Sequence, residues 1–100
     1  MIYWENNQSV ITYNDVIKLS TVRELDIESL YDCRIQTIDE ERVNRVDINF
    51  PILVLVDGDT ILSILDGNHR VTKAQRAGMS TMKCYVVDIS SDCRITEIFK

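Results

Sequence analysis

Residues 61–78 read ILSILDGNHRVTKAQRAG, an order that spells apolar strand, tight turn, helix. Ile61, Leu62, Ile64 and Leu65 form a short apolar run of the kind that fits a buried strand. Asp66, Gly67 and Asn68 break it with residues that tolerate unusual backbone angles. Asp66 or Asn68 can cap the helix that follows, and Gly78 is placed to close it. Inside that helix Val71, Ala74 and Ala77 make a small-residue stripe, which would let it lie close against a sheet.

The charges of this stretch are unusual. A helix N-terminus carries a partial positive charge, so acids belong in its first turn. This helix instead opens with His69 and Arg70, and Lys73 follows one turn later. Residues 67–87 contain no Asp or Glu but do contain Arg70, Lys73, Arg76 and Lys83. A basic segment therefore sits in a chain of net charge −5. Cations at the positive end of a helix repel it unless an anion lies between them. Free N–H groups, a permissive Gly and an Arg fork together make a phosphate cradle. In that reading Gly67 admits a close backbone approach and Asn68 supplies an N–H. Arg70 grips two oxygens, while His69 and Lys73 complete the anion site. The alternative is a solvated basic face with Asp66 as an ordinary cap.

Working outward, residues 52–56 (ILVLV) form a second apolar run, and Asp57-Gly58 is a strong hairpin signal. The hairpin would deliver Asp66 and Gly67 to the end of a buried strand. Pro51 stops any helix before it. Residues 80–89 read as a further strand with Met82, Cys84, Val86 and Ile89 in the core. Residues 37–46 read as a helix, with Asp39, Glu40 and Glu41 at its start and Arg42 and Arg45 near its end, the order the helix dipole prefers. Its buried stripe would be Ile38, Val43 (or the stem of Arg42) and Val46. Thr21-Val-Arg-Glu24 fits a capping box and predicts another helix there, whose acids include Glu24 and Glu28. Residues 1–4 and 10–13 have the bias of short strands, followed by a short helix over 15–19 capped by Asn14. Tyr3 and Trp4 are candidates for a stacking platform or for ordinary packing. The last ten residues fit a short strand or helix.

One hundred residues with 45% hydrophobic content suit a single domain with one modest core. Three Gly and one Pro argue against a long linker. No run approaches the length of a membrane span, and the start of the chain lacks the pattern of a signal peptide. The three cysteines, Cys33, Cys84 and Cys93, show no metal-ligand spacing, and there is one His. Free thiols in the cytoplasm are therefore the expectation. An acidic chain is a poor match for a dedicated DNA-binding surface.

Leu65-Asp66-Gly67-Asn68-His69-Arg70-Val71, with Ala74 and Gly78, resembles the signature of the ParB/sulfiredoxin superfamily: apolar strand, D-G-x-(H/R)-R, a small residue four positions on, and a closing Gly. The resemblance is best over residues 50–88. It implies a small α+β (α/β) domain over residues 1–100, with a mixed sheet of about four strands and packed helices.

Within the superfamily, sulfiredoxins carry a reactive Cys directly before the His. Asn68 stands there in this chain, so reduction of a sulfinic acid is not expected. Chromosome-partition ParB proteins usually have two adjacent Arg and bind CTP. His69 replaces the first Arg, and the chain is too short for the DNA-binding region that follows in those proteins. The motif is most similar to the D-G-H-H-R type of ParB-like free-serine kinases, with Asn68 as the departure. The kinase-like and partition-like branches together imply ADP, ATP or CTP as ligand, with magnesium held by Asp66. Asp66 and His69 become catalytic candidates, and Glu24 or Glu28 a general base. The function expected is nucleotide or phosphate binding, with phosphoryl transfer or nucleotide hydrolysis as the activity. The alternative is a non-enzymatic module, phage- or plasmid-borne, that binds DNA, a protein partner or a second copy of itself. A nuclease would require a cluster of acids around Asp66, which the spacing does not supply.

Overall fold

The computed structural model describes residues 3–5, 10–33 and 37–91. Along the chain its elements are β1 (Tyr3–Glu5), β2 (Val10–Thr12), α1 (Tyr13–Leu19), β3 (Thr21–Asp26) and α2 (Ile27–Asp32). Then come α3 (Glu40–Arg45), β4 (Ile52–Asp57), β5 (Thr60–Asp66), α4 (Asn68–Arg76) and β6 (Thr81–Asp88). The architecture is α+β. A four-stranded mixed sheet runs β3-β6-β4-β5, and β1 pairs with β2 in a separate two-stranded hairpin.

The sheet grows from the hairpin read in the sequence. Gly58 takes φ +60°, and β5 returns antiparallel to β4. β6 then lies parallel to β4 on its other side, because α4 carries the chain back across one face. Residues 52–56 of β4 are all buried, as an unbroken apolar run requires of a strand covered on both faces.

Two apolar layers flank that strand. On one face Ile27 and Leu30 of α2 and Val71 and Ala74 of α4 pack with Ile52, Val54, Val56, Ile64, Met82, Cys84 and Val86. On the other, Val16 of α1 packs with Leu53, Leu55 and Val87, joined by the half-buried Ile17 and Leu19. α4 ends in a Schellman closure: the Met79 N–H donates to the Ala74 carbonyl and the Gly78 N–H to the Gln75 carbonyl, both at 3.1 Å. Gly78 supplies the left-handed angle at φ +81°.

Four expectations need correction. Thr21–Asp26 is an edge strand, not a helix. Its residues pair one by one with Met82, Cys84 and their neighbours on β6, and this tertiary pairing overrides the local capping pattern. The helix begins at Ile27, capped by Asp26 through a 3.0 Å bond from the Ser29 N–H. α1 is capped by Thr12 in a reciprocal box with Asp15, not by Asn14. Ala77 is exposed, because α4 ends at Arg76 before the stripe reaches it. The N-cap of α4 is Gly67, with no side-chain cap, so neither Asp66 nor Asn68 takes that role. The side chains of Tyr3 and Trp4, together with Cys93 and the rest of residues 92–100, lie outside what is described. No helix among the described residues is long and apolar enough to cross a membrane.

Candidate functional site

Gly67 joins β5 to α4 at φ +114°, an angle that L side chains rarely adopt. A Cβ there would lie 2.7 Å from Ile52 Cβ and closer still to Cγ2. Glycine is thus required twice over, by angle and by contact. Helical bonding starts with the Val71 N–H donating to the Gly67 carbonyl at 3.0 Å, so the amides before it have no helical acceptor. This end of α4 opens into a cleft of about 190 Å³ lined by Arg42, Val46, Leu65, Asp66, Gly67, Asn68, His69 and Arg70.

The structure gathers Asp66, Gly67, Asn68, His69 and Arg70 at one cleft, as the motif implies, but it also shows what their side chains hold. Arg70 Nη2 lies 3.3 Å from Asp66 Oδ2, and its Nη1 donates to the Pro51 carbonyl at 2.7 Å. The fork therefore staples the chain just before β4 to the end of β5. The Asn68 carbonyl accepts from Thr72 Oγ1 at 3.0 Å, which satisfies a hydroxyl only 1% exposed.

The other basic residues of α4 hold α3. His69 Nε2 accepts from the Asp39 N–H at 3.2 Å. Lys73 Nζ donates to the carbonyls of Asn44 (3.1 Å) and Val46 (2.9 Å). Arg76 grips Glu40 with two bonds, 2.6 and 2.9 Å. That grip holds the Glu40 carboxyl below its ordinary value and raises the guanidinium. His69, Lys73 and Arg76 follow at four- and three-residue intervals and so share one helix face. The odd cations of the sequence thus serve a neighbour: Lys73 satisfies the last carbonyls of α3, and Arg76 answers the acid of its first turn.

Glu24 and Glu28 do not join the cleft. Both are exposed, and neither lines it. β3 and β5 are opposite edges of the sheet, three strand spacings or about 14 Å apart. Glu28 sits in the first turn of α2, where an acid suits the helix dipole. Among the described residues no group of three or more His, Cys, Asp or Glu comes together.

Sequence reasoning missed Arg42. It reads there as a dipole-compensating residue near the end of α3, or through its stem as part of the buried stripe, and not as a ligand contact. In the structure it lines the cleft together with Gly67, and its side chain has no hydrogen-bond or ion-pair partner among the described residues. Only its four-residue spacing from Val46 on the inner side of a short helix hinted at the placement. No family model matches the chain, and a search of curated proteins finds no significant match.

Proposed function

We propose that this protein binds the phosphate part of a nucleotide, or of another small phosphorylated ligand, in the cleft at the start of α4. One observation carries the reading: a helix N-terminus with no side-chain cap, and with glycine enforced at its N-cap, shares a polar cleft with Arg42, whose side chain is unpaired among the described residues. Backbone N–H groups would point at the phosphate oxygens, and Arg42 would close the far side. The volume is below the roughly 300–1,000 Å³ of sites that enclose a drug-sized ligand. It suits a phosphate group, with sugar and base lying outside. The likeness of residues 65–71 to the ParB/sulfiredoxin motif points the same way.

Phosphoryl transfer is the extension of this reading. An incoming phosphate competes with Asp66 for the Arg70 fork, and a released Asp66 becomes a hard oxygen ligand beside the phosphate. Magnesium is commonly held by one or two carboxylates plus substrate phosphates, so Asp66 fits that ion. His69 would donate or accept a proton once detached from Asp39. The DNA-binding alternative is weakened by the same contacts, because His69, Lys73 and Arg76 are spent on α3 and leave no free basic strip on that face.

The test is calorimetric titration with ADP, ATP and CTP, with and without magnesium, on the wild type and on Arg42→Ala. Saturable binding that Arg42→Ala weakens supports the reading. No heat from any of the three nucleotides overturns it.

A further inference from the structure

α3 has six residues, too few for a helix to persist alone in water. One of them, Val43, is fully buried, and it belongs to neither apolar layer flanking the sheet. Besides Val43, what attaches α3 is the row of polar bonds from one face of α4: His69 to Asp39, Lys73 to Asn44 and Val46, and Arg76 to Glu40. The Arg76 and Glu40 side chains are 51% and 65% exposed, so water and salt reach the pair. Arg42 of α3 and Val46 beside it line the cleft together with the β5–α4 turn.

From these contacts we infer that α3 is a detachable lid. It swings off α4 as a unit while the sheet stays folded, it widens the cleft when it does so, and its closure is set by ionic strength. The attachments are unequal: α4 is riveted to the sheet by Val71 and Ala74, both fully buried, whereas α3 buries Val43 and is otherwise held by polar bonds, of which the exposed Arg76–Glu40 ion pair is the one that salt screens most. The lid opens and closes whichever ligand the cleft takes.

Amide hydrogen exchange on the whole chain tests it. The informative amides are Val43 and Val46, which donate to the Asp39 and Arg42 carbonyls at 3.0 Å, with the amides of β4 as internal reference. Glu40→Gln, at an exposed position, loosens the latch without threatening the core. About 1 M salt, which shortens the screening length to about 3 Å, loosens it in the wild type. Each perturbation is expected to speed exchange at Val43 and Val46 by about two- to fivefold, the size of one exposed ion pair, and to leave β4 unchanged. Unchanged α3 amides under either perturbation, or protection lost together with β4, overturns the lid.

Discussion

Arg70 and Asp66, one helical turn apart, are joined by a 3.3 Å ion pair at the mouth of the cleft. The two residues to which the motif assigns the most chemistry neutralise each other. Arg70 also reaches the Pro51 carbonyl, so it is a structural clamp before it is a ligand contact. Arg70→Ala strips the partner from that carbonyl, with an expected loss of about 1–3 kcal/mol of stability. Arg70→Lys is expected to recover little, since a single ammonium cannot span both partners. Urea denaturation of the two variants measures both.

Arg42 gives the cleaner probe of binding. Among the described residues its side chain has no bond to lose, so Arg42→Ala should leave the melting temperature within error of wild type. Its affinity for the preferred nucleotide should fall about tenfold, the size of one charge-assisted hydrogen bond. Calorimetry and a thermal melt on the same sample check both halves.

Gly67 and Gly78 both have positive φ, but their surroundings differ. A Cβ at Gly67 meets Ile52, whereas one at Gly78 meets nothing within 4 Å. Gly67→Ala is expected to cost about 2–4 kcal/mol through strain and overlap together. Gly78→Ala is expected to cost about 1 kcal/mol from strain alone. Differential scanning calorimetry should show a clearly larger fall in Tm for Gly67→Ala.

Acid should weaken the fold through two carboxylates. Arg76 holds Glu40 below its ordinary value of 4.5, and hydrogen bonds from Ser90 hold Asp88 below 3.8. A carboxyl lowered in the folded state binds fewer protons there than in the unfolded chain. Its contribution is therefore present above the ordinary value and lost as pH falls toward the lowered one. The denaturation midpoint should drop between about pH 5 and about pH 3, and Glu40→Gln should shallow that slope.

Cys84 should be inert. Burial pushes its thiol up to about 12, and its Sγ donates to the Met82 carbonyl at 3.3 Å. At mildly alkaline pH iodoacetamide is expected to modify the half-buried Cys33 and to spare Cys84 until the protein unfolds, as peptide mapping would show.

The sequence by itself determined the strand-hairpin-strand-turn-helix run from Ile52 to Gly78. Its signals are local: an unbroken apolar run, Asp57-Gly58, a glycine at each end of α4, and an apolar stripe at helical spacing. It also determined α3, whose acids precede its bases. Tertiary structure alone decided Thr21–Asp26, whose capping pattern suggests a helix but whose backbone bonds are taken by β6, some sixty residues further on. It likewise decided what the cations of α4 do. His69, Lys73 and Arg76 find their partners 30, 27 to 29 and 36 residues away. Periodicity reports which face of a helix a residue occupies. It does not report what lies against that face, because the short α3 is brought there by the path of the whole chain. For that reason the charge anomaly was visible in the sequence, and its resolution, a row of cations bound to a neighbouring helix, was not.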